Sequence, residues 1–346
     1  MNTSPTLWWD EAAGSIRYID QTRLPGEVRI AECRTIPRLA TAIRRLGIRG
    51  APALGVAGAF GIALAASRCR KKNVKPFLEQ VGRDAETLRS TRPTAVNLGW
   101  GIDRVLGAIR TAPDTGTARE RALAEALAIA AEDTACCHAI GEHGASLLPA
   151  SCTVLTHCNA GALACSSWGT ALGIVRSAVE AGKQVQVISC ETRPLLQGSR
   201  LTAWELARDG IPVTAIADAM AASVMRTRTI DAVIVGADRI TPDAVFNKIG
   251  TYLHAICASR HKIPFYVAAP LSTFDLVHRE RDIVIEERGR DEIARIGNRT
   301  FLPAGVPVLN PAFDATPLSL VSAIVTENGI VRPPFAPEDL ARGRTK

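Results

Sequence analysis

The sequence predicts an α/β protein in two parts: an N-terminal strand-and-helix domain over 1–147, and a parallel-sheet domain over 148–346. Three observations carry this. Two short strand-like runs joined by Leu24-Pro-Gly26 open the chain. A helical pattern follows from Pro37 to about Leu147. After Cys152, apolar runs of strand length alternate with helical stretches.

Taken in order, residues 1–20 and 26–34 read as short strands, centred on Ser15-Ile-Arg-Tyr-Ile-Asp20 and Glu27-Val-Arg-Ile-Ala-Glu-Cys33, forming a small β-meander. The helical stretch breaks at 49–52 and 90–94. Its apolar segment 50–66 is short and rich in Gly and Ala, which suits a buried helix and not a membrane span. The second-half strands are Thr153-Val-Leu-Thr-His157, Gln184-Val-Gln-Val-Ile-Ser189, Pro212-Val-Thr-Ala-Ile216, Ala232-Val-Ile-Val-Gly236 and Phe265-Tyr-Val-Ala-Ala269. Each precedes a turn and a helix candidate, so the sheet should be parallel with helices on both faces. In such sheets ligands bind at the carboxyl ends of strands. No internal repeat is visible, and the Arg-rich tail after Pro337 reads as loose.

The 346 residues are 47% hydrophobic and 22% charged, enough for a large core without covalent staples. A net charge of +7 suits nucleic acid, a membrane surface or a phosphorylated small substrate. The arginines are scattered, however, and the one cluster, Arg68-Cys-Arg-Lys-Lys72, reads as a solvated helix end. Nine irregularly spaced cysteines with no Cys-x-x-Cys argue against a zinc ribbon and for free thiols in a reducing cytosol. Residues 1–14 lack the basic start and apolar run of a secretory leader.

Four segments near strand ends carry reactive groups: Thr156-His-Cys-Asn-Ala-Gly161, Glu191-Thr-Arg-Pro194 with Gln197-Gly-Ser-Arg200, Gly236-Ala-Asp-Arg239, and Asn247-Lys-Ile-Gly-Thr-Tyr252. Cys158 precedes a helix expected near Gly161, whose dipole would favour a thiolate base or nucleophile; the alternative is an inert core cysteine. Asp238, closing an apolar strand, is a candidate acid or base, or else a helix cap. His157 adjoins Cys158, but successive strand residues point to opposite faces, so the two do not form a catalytic pair. Gly169-x-x-x-Gly173 is a packing spacing, not a dinucleotide fingerprint. In the first half, Arg49-Gly-Ala-Pro-Ala53 and Arg92-Pro-Thr-Ala-Val-Asn97 each pair an arginine with helix-start amides. Either is an anion site or a surface ion pair. Together these groups suit phosphosugar chemistry without naming it.

The motifs Arg49-Gly-Ala-Pro-Ala, Arg92-Pro-Thr-Ala-Val-Asn-Leu, Thr156-His-Cys-Asn-Ala-Gly, Glu191-Thr-Arg-Pro, Leu196-Gln-Gly-Ser-Arg-Leu-Thr-Ala-Trp-Glu-Leu206, Gly236-Ala-Asp-Arg-Ile, Asn247-Lys-Ile-Gly-Thr-Tyr and Asn310-Pro-Ala-Phe-Asp314 occur in order. In this the chain resembles the methylthioribose-1-phosphate isomerases, which share a superfamily with translation initiation factor 2B regulatory subunits and ribose-1,5-bisphosphate isomerases. The resemblance runs from about Asp20 to Pro333. It implies a Rossmann-like C-terminal domain and an aldose–ketose isomerase of 5-methylthioribose 1-phosphate in methionine salvage. It also implies a cytoplasmic homodimer without cofactor or metal, acting on a small phosphosugar and not on nucleic acid or membrane. Cys158 and Asp238 fall on the family's catalytic positions. Arg49, Gly50, Ala51, Arg92, Gln197, Asn247 and Lys248 fall on its substrate-binding positions. One departure is Thr241-Pro-Asp-Ala-Val-Phe246, which lacks the family's Asn-Gly turn and implies a different loop path between Asp238 and Asn247. The alternatives are 5-deoxyribose 1-phosphate or ribose 1,5-bisphosphate as substrate, and a non-catalytic regulatory subunit.

Overall fold

The computed structural model describes residues 5–343 and Thr345, so the first four residues of the expected N-terminal strands, with Arg344 and Lys346 of the tail, lie outside the description. The described residues form two compact units, 5–138 with 160–173 and 139–159 with 174–343. The chain thus divides at more than one point, with the segment after Asn159 grouped with the first unit.

In the first unit, β1 (Leu7–Asp10), β2 (Ser15–Ile19) and β3 (Ile30–Cys33) form an antiparallel meander in that order. β2 alternates as a half-buried strand must, with Ile16 and Tyr18 buried. Helices α1 (Ile36–Arg44), α2 (Ala51–Arg68), α3 (Val74–Arg89), α4 (Val96–Ile109) and α5 (Thr115–Ala145) come next. The breaks at 45–50 and 90–95 overlap the expected ones, while those at 69–73 and 110–114 were not expected. α2 is apolar on every side because it is the core helix of this unit, with fourteen of its eighteen residues buried. Its glycines and alanines admit α4 at close range: a Cβ on Gly101 would lie 2.0 Å from the Gly55 carbonyl oxygen. Beyond α2, Arg68, Arg70, Lys71 and Lys72 are exposed around a buried Cys69, as expected of a solvated helix end.

The second unit is built on β4 (Ser151–Thr156), α6 (Ala171–Glu180), β5 (Gln184–Cys190), α7 (Ala203–Arg208), β6 (Val213–Ile216), α8 (Ala221–Thr227) and β7 (Ala232–Val235). Then come β8 (Arg239–Ile240), β9 (Ala244–Lys248), α9 (Thr251–His261), β10 (Phe265–Ala268), α10 (Asp291–Ala294), β11 (Arg295–Ile296), β12 (Arg299–Thr300), β13 (Phe313–Pro317), β14 (Ala323–Thr326), β15 (Gly329–Val331) and α11 (Pro337–Arg342). Seven strands make one sheet in the order β15-β14-β10-β7-β4-β5-β6, parallel except for β15. The chain therefore runs one way from β4 through β6 and the other way from β7 through β14. That reversal between β4 and β7 is the topological switch point at which such sheets bind ligands.

Three features differ from the expectation. After β7 comes not a helix but the β8–β9 hairpin, which β13 joins to make a small antiparallel sheet in the order β13-β9-β8. The missing Asn-Gly is replaced by a tight turn at Pro242-Asp243, where the Thr241 N–H donates to Ala244 O and the Thr241 hydroxyl accepts from the Ala244 N–H. The tail is not loose as far as Gly343: α11 forms there because Leu340 is fully buried, and the preceding Phe335 is nearly so.

Candidate active site at the strand ends

Cys158 lies two residues beyond β4. No helix begins near Gly161: a single 3₁₀ turn spans Ala162–Ala164, and α6 starts only at Ala171. The expected helix dipole behind the Cys158 thiol is therefore absent. The chain turns sharply instead, with Cys158 in the left-handed region at φ +64°. For a residue with a side chain that conformation is strained and needs holding. Two threonine hydroxyls do so: Thr192 Oγ1 accepts the Cys158 N–H at 2.8 Å, and Thr202 Oγ1 donates to the Cys158 carbonyl at 2.6 Å. The thiol-bearing residue is buried.

The next residue is anchored as firmly. Asn159 Nδ2 donates to Glu205 Oε1 at 2.8 Å, and the other oxygen of Glu205 accepts from Arg176 at 2.9 Å. Arg176 also bonds Asp209 at 2.7 Å, and all three charged side chains are 3% exposed. Charges so deep hold one geometry, because any loosening would strand one of them away from water.

Beyond β5, Thr192 is itself left-handed at φ +67°, and Asp218 fixes it by accepting the N–H groups of Thr192 and Arg193 at 2.8 and 2.7 Å. Gln197 comes next in the loop, buried, with a side-chain oxygen that has no hydrogen-bond partner among the described residues. A buried acceptor left open this way invites a donor from a ligand.

Asp238, three residues past β7, is half-buried, and its N–H donates to Phe246 O at 2.9 Å. The element after it is the strand β8, so Asp238 caps no helix. Across the hairpin, Asn247 and Lys248 end β9. Asn247 Nδ2 donates to Thr251 Oγ1 at 3.0 Å. Lys248 Nζ donates to Ala312 O at 2.8 Å and sits 4.5 Å from the Phe313 ring centroid. Sequence reasoning left Asp314 without a role. It faces Asn247 across the β13–β9 ladder and accepts the N–H groups of Gly250 and Tyr252 at the start of α9. Burial nonetheless pushes its carboxyl up to about 6.

His157 and Cys158 lie beyond the end of β4, so strand alternation does not apply to them, and the His157 ring is engaged elsewhere. Its Nε2 donates to Ile249 O at 2.8 Å, and its Nδ1 lies 3.0 Å from His254 Nε2.

Cys158, Gln197, Asp238, Asn247 and Lys248 thus belong to the second unit, while Arg49, Gly50, Ala51 and Arg92 belong to the first. Within the first unit, Arg49 is buried and donates from Nε to Gln21 Oε1 at 2.8 Å. Gly50 precedes α2 at φ +98°, where a Cβ would meet Ala164 Cα at 2.5 Å, so only glycine fits. Ala51 opens α2, and half-buried Arg92 precedes α4.

Comparison with known proteins bears on this chemistry. The Initiation factor 2 subunit family matches residues 47–333. A methylthioribose-1-phosphate isomerase of Desulforamulus reducens is 50% identical, covering 94% of this chain and 95% of that protein. A 5-deoxyribose 1-phosphate isomerase of Moorella thermoacetica is 51% identical, covering 96% and 95%. The crystal structure of translation initiation factor eIF-2B, subunit delta, from A. fulgidus superposes with a TM-score of 0.87 at 52% identity, covering 96% and 97%.

Proposed function

The chain belongs to the Initiation factor 2 subunit family, and from that membership and the strand-end chemistry we propose that it is an aldose–ketose isomerase. It converts 5-methylthio-α-D-ribose 1-phosphate into 5-methylthio-D-ribulose 1-phosphate. One observation carries the reading: a thiol and a carboxyl, Cys158 and Asp238, stand just beyond the ends of neighbouring parallel strands that flank the reversal of strand order.

A phosphate on the anomeric oxygen blocks simple ring opening, so the reaction needs an acid at the ring oxygen. Asp238 supplies that proton as the ring bond to C1 breaks. Cys158 takes the proton from C2 and returns it to C1. Asp238 recovers its proton from the C2 hydroxyl as the ketone forms, which closes the proton balance. Arg49 and Arg92, with the amides at Gly50 and Ala51, are the first unit's phosphate-binding groups, and Lys248 is a substrate-binding group of the second. Asn247 and the open acceptor of Gln197 hold the sugar hydroxyls.

The test is turnover. The methylthio and 5-deoxy substrates differ by a sulfur and a methylene, and an apolar pocket reads each such methylene-sized group at about 10–200-fold in kcat/KM. Ribose 1,5-bisphosphate should fall far behind. Cys158→Ser and Asp238→Asn should each lower kcat by about 10²–10⁴ with KM little changed; near-wild-type rates in both would remove these roles. A purely regulatory subunit would show no turnover in any form.

The proposal includes a cytoplasmic homodimer. Tyr252, Leu253 and Ile256 share one exposed face of α9, the kind of apolar patch a second copy covers. Leu253→Glu should shift the sedimenting mass from dimer to monomer; an unchanged mass would exclude this face.

A further inference from the structure

Apart from the proposed catalytic groups, four metal-ligand side chains converge in the second unit: His157 after β4, Cys190 ending β5, Asp218 after β6, and His254 in the first turn of α9. Their ligand atoms all lie within 4.8 Å of one another. Within the set, His157 Nδ1 is 3.0 Å from His254 Nε2 and 3.8 Å from Asp218 Oδ1. A tetrahedral zinc ion with bonds of about 2.0–2.1 Å to nitrogen sets its ligands about 3.3 Å apart. These two spacings bracket that value, and the other four lie within 4.8 Å. We propose that His157, Cys190, Asp218 and His254 form a closed tetrahedral site for Zn²⁺.

The proton count argues for a cation. His157 Nε2 is committed to Ile249 O as a donor, so its Nδ1 presents a lone pair inward. The Thr192 hydroxyl, 3.4 Å from that nitrogen, is closer to Cys190 O at 3.0 Å and donates there. The carboxylate of Asp218 is already aligned by two backbone N–H groups and adds only lone pairs. The His254 Nε2–H and the Cys190 S–H then face the His157 lone pair and the Asp218 carboxylate, so the set carries more lone pairs than hydrogens.

Loading the site moves the His254 proton from Nε2 to Nδ1. That nitrogen is buried without a partner among the described residues, so the change sacrifices only the His–His hydrogen bond. The Cys190 thiol releases its proton to solvent as the Zn–S bond forms. Zn²⁺ with one thiolate and one carboxylate is electrically neutral, which lowers the cost of burying the ion. Two imidazoles, a thiolate and a carboxylate are a borderline-soft set that suits zinc better than magnesium or calcium. Four protein ligands leave no open position, so the ion is structural and takes no part in the isomerisation. It would tie three adjacent strand ends to α9 and stiffen Thr192, which supports Cys158.

The test uses full-length protein purified without chelator or histidine tag. Elemental analysis after Zn²⁺ addition and desalting should give about one zinc per chain, and chelation should lower Tm, as for any ligand of the native state. Co²⁺ exchange should give tetrahedral visible bands and a thiolate-to-cobalt band in the near ultraviolet. Cys190→Ser should lose the near-ultraviolet band while staying folded. His254→Gln should weaken Zn²⁺ by at least about tenfold, comparable to losing a supporting contact or more. Wild-type protein that takes up no Zn²⁺ or Co²⁺, or variants that bind both as wild type does, would overturn the site. Turnover is measured separately, so loss of the metal proposal leaves the isomerase reading standing.

Discussion

The core of the first unit and the strand ends of the second solve opposite problems. α2 is buried almost wholly by apolar packing, with α4 pressed so close that Gly101 has no room for a methyl group. Around the loops after β4 and β5 the enclosed side chains are instead polar: His157, Asn159, Arg176, Thr192, Thr202, Glu205 and His254 are all buried. Packing fixes distances of closest approach but has no preferred bond direction. Hydrogen bonds between enclosed polar groups accept one geometry and penalise every other. Rigidity at the strand ends is thus bought with buried polarity, where a reacting group must be held to a fraction of an ångström.

The largest expected effect breaks the polar side of this contrast. Arg176→Met leaves Glu205 and Asp209 enclosed without their cation and should cost about 3–5 kcal/mol in denaturant unfolding. It should also lower kcat, because Asn159 hangs from Glu205. Gly101→Ala tests the packed side. Its added methyl meets backbone and not a flexible side chain, so about 1–3 kcal/mol should be lost with kcat within twofold of wild type, roughly the scatter of such measurements. Equal kcat losses in both variants would erase the distinction.

A pH slope is expected from both regions as well. Burial raises Asp133 in the first unit and Asp314 in the second to about 6, against about 3.9 for an unfolded aspartate. Between these values the native state keeps protons that the unfolded chain has released. Unfolding free energy should therefore fall as pH rises from about 4 through about 6, then level off. Asp133→Asn and Asp314→Asn should each flatten part of that slope in Tm measured across the range; an unchanged slope in both would assign it elsewhere.

Much of the second-unit sheet was legible because β4, β5, β6, β7 and β10 are apolar runs of strand length. β13 and β15 were not, because Phe313-Asp-Ala-Thr-Pro and Gly329-Ile-Val are short and carry no clear alternation, and β14, Ala323-Ile-Val-Thr, was missed although it is an apolar run of the same kind. The motifs around Cys158 and Asp238 could be found by resemblance. The reason Cys158 stays where it is could not, since its two threonine supports lie 34 and 44 residues away in sequence. The same holds for His157 and His254, 97 residues apart, which only the strand order brings together.

The two-residue turn at Pro242-Asp243 has a mechanical outcome. Because the N–H of Asp238 is bonded to Phe246, the residue just before Asn247, the carboxyl and the amide sit on opposite arms of one short ribbon. On the roles proposed above, a molecule that pulls on the side chain at 247 should also shift the one at 238. Grip and proton delivery would then share a single lever, and lengthening that turn should loosen both at once.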